Sequence, residues 1–380
     1  MPFFLLFWFL LLLVLLSFIW LSLVYLLTKL ELKRHMAPKV TEDESLQIEV
    51  EIKNRSLFPA FNVILEDHLS CAWPWERQKF ILTEYLPARY SESFTFNCVC
   101  PQRGLYRVGP FNVYFFDFFG LFFLKKTYQV YSQVYVYPYA FNIRKFPPLT
   151  KGAVPWFGIE TARVSGDEDE FYGVREYKRG DPIKKIHWIS SARKNQLIVK
   201  QFQRQSFFRG TIMFNLEKDN NFGEGKECVA EYKIKIVASV AKYLINLGVS
   251  LEIIAHTEEI IHIPSNRGQE HLEDIFKFLA VAKAESSVSL LEVFINFNRY
   301  IAEDSTLITV MLDTDREYIP AMLSSQVRNV SLLQIILVSS SFLGDWESKK
   351  TADTFDIKIP EMISLRPIYI CCGEIWEDKF

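Results

Sequence analysis

The segment from Phe3 to Leu27 constrains this chain more than any other feature. It is one unbroken apolar run, FFLLFWFLLLLVLLSFIWLSLVYLL, and no charged side chain occurs from Met1 to Thr28. As a helix, a run this long exceeds the ~20 residues needed to cross the hydrocarbon of a bilayer. A removable leader would carry a basic stretch ahead of the run and a small-residue cleavage site behind it, and the sequence has neither. A retained membrane anchor is therefore expected, either as one span or as a short hairpin. Lys29, Lys33, Arg34 and Lys39 follow the run, with only the terminal amine ahead of it. By the positive-inside rule, the remaining chain is expected on the cytoplasmic side of the inner (cytoplasmic) membrane.

The chain has 380 residues, and at roughly 150 residues per domain the remainder suggests two folded units. With 43 basic against 45 acidic side chains and a net charge of -2, there is no positive field to offset phosphate charge, so nucleic acid is excluded as a partner. The six cysteines, Cys71, Cys98, Cys100, Cys228, Cys371 and Cys372, are scattered without paired zinc-type spacing or nearby histidines. Cys98 and Cys100 alternate within an apparent strand and are expected to share a face as small, inert hydrophobes.

The pattern divides the chain into an anchor (residues 1–35), a β-sandwich (40–140), a charged segment (141–208), an α/β region (209–345) and a C-terminal extension (346–380). Period-two alternation in LQIEVEIKN (46–54), FNVILED (61–67) and ESFTFNCVC (92–100) predicts strands with one apolar face. GLYRVGPFNVYFF (104–116) and TYQVYSQVYVYP (127–138) read likewise. Phe115, Phe116, Phe118, Phe119, Phe122 and Phe123 suit either core packing or a membrane-docking patch, and core packing is the expectation. From Gly210, strands at 211–216, 249–255, 305–312 and 332–338 alternate with helical patterns near 225–247, 271–283, 289–302 and YIPAMLSSQV (318–327). Strand and helix in alternation predict a doubly wound, mostly parallel α/β sheet.

Two segments carry candidate chemistry. Residues 166–200 crowd Arg175, Glu176, Lys178, Arg179, Asp181 and Arg193 among aromatics. Asp181 and Pro182 read as the N-cap and first residue of a short helix, with Ile183, Ile186 and Ile189 on one side and His187 and Trp188 along it. Such a segment serves either as a docking surface with Trp188 as its anchor or as a linker held by ion pairs. His187, Ser190 or Ser191, and Asp181 are too close in sequence to face one another as a hydrolase triad, and no GxSxG elbow is present. The second candidate is the loop after strand 211–216, where Asn215, Glu217 and Asp219 occur at alternate positions, with Asp313 on the same rim. Oxygen side chains at the carboxyl end of a sheet strand suit Mg²⁺, although a solvated turn has the same composition. Walker A, GxGxxG and HExxH motifs are absent, and no enzyme mechanism follows.

Several blocks in order resemble the bacterial domain of unknown function 58 family: RGLYRVGP (103–110), DFFGLF (117–122), VYVYP (134–138) and FYGVREYKRGDPIKKIHWISSARKNQLIVKQF (171–202). The resemblance implies a membrane-tethered β-domain joined to a fold similar to von Willebrand factor A domains. It further implies no established enzymatic activity and a MoxR-type AAA+ ATPase as partner. It marks Arg175, Glu176, Tyr177, Gly180, Asp181, Trp188, Ala192 and Arg193 as a defined structural or docking element. Where a von Willebrand-like domain often carries Asp-x-Ser-x-Ser, this chain has a degenerate Asn215, Glu217 and Asp219. The expected function is a non-enzymatic, membrane-anchored adaptor or scaffold without a cofactor. The alternative is a divalent-cation-dependent, adhesion-like ligand-binding protein.

Overall fold

The computed structural model describes residues 2–117, 119–144, 146, 162–166, 170–178, 181–206, 209–303, 305–315, 317–318, 321, 330–343 and 367–374. The apolar run forms one uninterrupted helix, α1 (Pro2–Leu27). Its 26 residues span about 39 Å, so the hairpin alternative is not adopted. The chain divides into two compact units, Met1–Tyr139 with Phe276–Val281, and Ala140–Ile275 with Ala282–Phe380.

The first unit holds strands β1 (Leu30–Met36), β2 (Lys39–Thr41), β3 (Ser45–Asn54), β4 (Ala60–His68), β5 (Gln78–Leu86), β6 (Ser91–Val99), β7 (Gly104–Val108), β8 (Phe111–Phe116), β9 (Phe123–Tyr128) and β10 (Ser132–Tyr137). They pair in the orders β1-β3-β6, β2-β10-β7 and β5-β4-β8-β9. The alternation works as expected: Leu46, Ile48, Val50 and Ile52 of β3 are buried between exposed or half-exposed neighbours. The run 104–116 is cut in two at Gly109, whose φ of +111° and close approach to the Val130 carbonyl leave no room for a Cβ. Leu30–His35, assigned by the sequence to the anchor, belongs instead to β1, a full strand antiparallel to β3, because Leu30 and Leu32 fill the β core.

That core also includes the helix. Leu21 is fully buried in the same cluster as Ile48, Leu65, Val113 and Phe115, with Val24 and Tyr25 packed against it. The Ser17 hydroxyl donates to the carboxylate of Asp117, a side chain with no exposed surface. Asp117 also accepts the Phe119 and Phe122 amides at 3.2 and 2.7 Å, which closes the turn between β8 and β9. The aromatic cluster divides: Phe115 is core, whereas Phe119, Phe122 and Phe123 are exposed, and Phe118 lies outside the described residues.

The second unit begins with β11 (Ala162–Gly166), β12 (Glu170–Glu176) and β13 (Ile198–Ser206), a three-stranded antiparallel sheet in the order β11-β13-β12. Clear periodicity is missing from the sequence there, because charged and turn residues interrupt every apolar run. β14 (Arg209–Asn215), β15 (Ser250–His256), β16 (Ile260–Asn266), β17 (Thr306–Leu312), β18 (Ser331–Leu337) and β19 (Ile368–Ile370) form one mixed sheet in the order β16-β15-β14-β17-β18-β19. Only the β15–β16 pairing is antiparallel among these strands. Every residue of β17 is buried, as expected of a strand covered on both faces. β19 comes from the region assigned to a C-terminal extension, and it adds a strand to the sheet edge. The α-helices after α1 over the described residues are α2 (Trp188–Lys194), α3 (Val229–Asn246), α4 (Gln269–Val281), whose residues from Phe276 belong to the first unit, and α5 (Leu290–Phe297). Most of the helix expected at 318–327 lies outside the described residues.

Candidate functional site

Arg175 stands near the end of β12, and the chain turns back so that Asp181 meets it. The two terminal guanidinium nitrogens, Nη1 and Nη2, donate to the carboxylate, at 2.6 and 2.7 Å, and the Lys178 amide donates at 2.8 Å. The Arg175 bond, then the Lys178 amide, hold the Asp181 carboxyl down to about 2. Asp181 therefore clamps a turn and does not cap the expected helix. A 3₁₀ turn (Ile183–Lys185) follows, and α2 starts only at Trp188. Its cap is His187, whose Nδ1 accepts the Ser190 amide at 3.1 Å.

Two bonds tie α2 to the sheet. His187 N–H donates to the Ile198 carbonyl at 2.8 Å, and the buried Ser191 hydroxyl accepts the Ile198 amide at 2.9 Å while donating to the His187 carbonyl. Ile186, Ile198 and Val199 are buried. Ile183, Trp188 and Ile189 are instead exposed by 69%, 63% and 67%, so the three isoleucines do not share one side. The Tyr177 amide donates to the Leu197 carbonyl, and Glu176 accepts the Gln196 amide at 3.2 Å. Ala192 and Arg193 are exposed on α2, and Gly180 lies outside the described residues.

The rim of the mixed sheet differs from the cation site considered from sequence. Asn215 ends β14 with no exposed surface, and its Oδ1 accepts a hydrogen bond from the Lys233 ammonium at 3.0 Å. The same ammonium donates to the Asn215 backbone carbonyl at 3.0 Å. Lys233 is only 2% exposed on α3. Burial lowers its pKa, while Asp315 and Glu217 act in the opposite direction. A tethered ammonium thus occupies both Asn215 oxygens, the side-chain one of which the sequence offered to a divalent ion. Glu217 is turned to Asn220 at 2.7 Å, Asp219 is exposed, and Asp313 accepts the Ser339 amide at 3.0 Å. Spacing along the chain carries no sign of Lys233, because it arrives from a helix beginning 14 residues after Asn215.

Among the described residues, one group has donor atoms close enough to share a metal ion: the sulfurs of Cys71, Cys98 and Cys100, all within 4.8 Å of one another. Cys98 and Cys100 do share a buried environment as expected, and Cys71 joins them from the loop after β4. Hydrogen bonds from Cys100 and Cys98 hold the Cys71 thiol below the usual thiol range. Three soft sulfurs suit zinc or copper(I) far better than Mg²⁺.

Among solved structures, the chain is similar to the CARDB domain of the PF1109 protein from Pyrococcus furiosus, in complex with di-metal ions, at 17% identity and a TM-score of 0.23. That match covers 29% of this chain and 94% of the other. It is also similar to a beta-glucosidase from Listeria innocua (20% identity, TM-score 0.18), over 29% of this chain and 16% of that one. No curated protein matches the chain. The model of the family described as Protein of unknown function DUF58 matches residues 173–333, from the strand bearing Arg175 into β18, and over this region the chain is similar to that family.

Proposed function

We propose that this protein is a non-enzymatic adaptor, anchored in the inner membrane by α1, which presents its signature segment in the cytoplasm to a MoxR-type AAA+ ATPase. The observation that carries the docking role is the exposure of Trp188, Ile183 and Ile189 on a segment that Arg175–Asp181 and the His187 cap hold in one conformation. Rigid, exposed aromatic and aliphatic side chains are what an interface buries at its centre. The parallel order β15-β14-β17-β18, with α3 linking β14 to β15, supports a doubly wound, von Willebrand factor A-like reading of the mixed sheet. The anchor reading is supported by Leu21 and Ser17, since a leader removed after export would take part of the β core with it. Lys29, Lys33, Arg34 and Lys39 support the cytoplasmic side, since this rule acts during insertion, before Arg34 becomes buried against Asp67.

The cation-dependent alternative loses its support at Lys233, whose ammonium already serves Asn215. The test is capture of a purified MoxR-type ATPase by the full-length protein in detergent. Trp188→Ala is expected to weaken binding by about 2 kcal/mol, roughly thirtyfold in Kd. Reversing both charges of the pair (R175D with D181R) is expected to bind better than either single reversal. Unchanged binding in Trp188→Ala, with the protein folded, would remove this surface from the interface. Protection of the body from protease added to inside-out vesicles would refute its cytoplasmic placement.

A further inference from the structure

One end of the β-rich unit carries apolar side chains that its core does not use. Ala60 at the start of β4 pairs with Leu86 at the end of β5, and Phe116 at the end of β8 pairs with Phe123 at the start of β9. Val63 pairs with Phe115, so these positions lie at one end of the same sheet. Asn54 at the end of β3 pairs with Leu30, just after α1, and its side-chain amide donates to the Leu86 carbonyl. The start of β1 therefore lies at that end as well. Exposed there are Leu57, Phe58, Tyr90, Leu121 and Phe123.

α1 supplies a ruler for this end. The Phe122 ring meets Phe18 at 6.1 Å, while the Phe115 ring meets Tyr25 at 6.2 Å and the Lys126 ammonium lies 5.6 Å from the Tyr25 ring. Phe18 and Tyr25 are separated by about 10 Å of helix axis. The turn between β8 and β9 thus reaches about 10 Å farther along α1 than Lys126 does. The helix spans about 39 Å against a hydrocarbon thickness of about 30 Å. Its C-terminal end therefore has length to spare for the headgroup region, where tyrosine and lysine are favoured.

We propose that the turn at residues 119–123 is itself inserted in the lipid bilayer beside α1, so that the protein enters the membrane as a wedge of helix and hairpin. The proposal rests on the reading of α1 as a retained anchor. Lipid is the occupant because the exposed side chains continue the exposed apolar face of α1, and Lys125 and Lys126 stand at the base of the hairpin, where ammonium groups reach headgroups. Asp117 enters this setting with its carboxylate satisfied by the Ser17 hydroxyl and two turn amides. The wedge fixes the orientation of the β-rich unit to the membrane, which a single helix leaves free to swivel.

The full-length protein, with Cys371→Ser and Cys372→Ser, would be labelled with an environment-sensitive fluorophore at one of three introduced cysteines. These are Leu121→Cys in the turn, Leu12→Cys in α1, and Glu76→Cys in the loop after β4, at the opposite end of the sheet. One dye per chain reports a folded protein, because Cys71, Cys98, Cys100 and Cys228 are buried. In phosphatidylcholine and phosphatidylglycerol vesicles with brominated acyl chains, quenching is expected at 121 and 12 and not at 76. Quenching at 12 alone overturns the wedge and leaves the anchor standing. Absence of quenching at both 12 and 121 overturns the anchor, and the wedge with it.

Discussion

Replacing Asn215 by alanine tests whether the ammonium of Lys233 is the cation of the sheet rim. The substitution removes the Oδ1 acceptor 3.0 Å from Lys233 Nζ and leaves the Asn215 backbone carbonyl as the acceptor recorded at 3.0 Å. The Val288 carbonyl also loses the Asn215 amide but keeps the Ser286 hydroxyl at 3.1 Å, so its share is small. A hydrogen bond to a buried charged group contributes about 1.5–3 kcal/mol, and the loss is expected to fall in that range at neutral pH. Burial already holds the Lys233 pKa below 10.5, and loss of an acceptor lowers it further. The penalty is thus fully present below the variant's folded pKa and closes as pH rises through that of the wild type, where both lysines are neutral. Urea unfolding in detergent, followed through protease-susceptible peptides of the second unit, reads the difference without assuming that both units unfold together. A loss below about 0.5 kcal/mol at neutral pH, or a loss that does not change with pH, would refute the reasoning. Adding Lys233→Met should remove most of the Asn215→Ala effect, since the two residues then no longer couple.

Three other outcomes follow from the fold. Leu21→Ala should destabilise the β-rich unit by about 2–5 kcal/mol, whereas Leu12→Ala, at a 55% exposed position, should leave its melting unchanged; equal effects would contradict the packing of α1 into the core. Under native conditions, a thiol reagent read by peptide mass spectrometry should modify Cys371 and Cys372 before the four buried cysteines, and early modification of Cys71 would show that its loop opens. The depressed Asp181 pKa places its stabilising effect above the ordinary 3.8, with loss as pH falls through about 2; exchange protection of the Lys178 amide, which donates to that carboxylate, should persist at about pH 4 and fail in Asp181→Asn.

Much of the architecture is local in origin. The helix Pro2–Leu27 follows from the absence of any charge in the run, and β3, β4 and β6 follow from alternation, because a one-residue shift would turn their apolar sets to water. The parallel strands are legible as short apolar runs separated by helical periods. Strand β1 was hidden by its charges, Glu31, Lys33 and Arg34, one of which is buried only because Asp67 from β4 meets it. Likewise, Asp181 and Pro182 look like a helix start in sequence, but Arg175 on β12 is the stronger partner for the carboxylate, so the cap falls to His187. The sequence by itself determined the apolar helix, the alternating strands and the family-like signature, since each depends on neighbours within a few turns of chain. Tertiary structure alone decided that the Lys233 ammonium meets Asn215, that Cys71 joins Cys98 and Cys100, and that α1 shares the β core. Each of these joins residues distant in sequence, and only the closed chain sets which charge or apolar surface meets which.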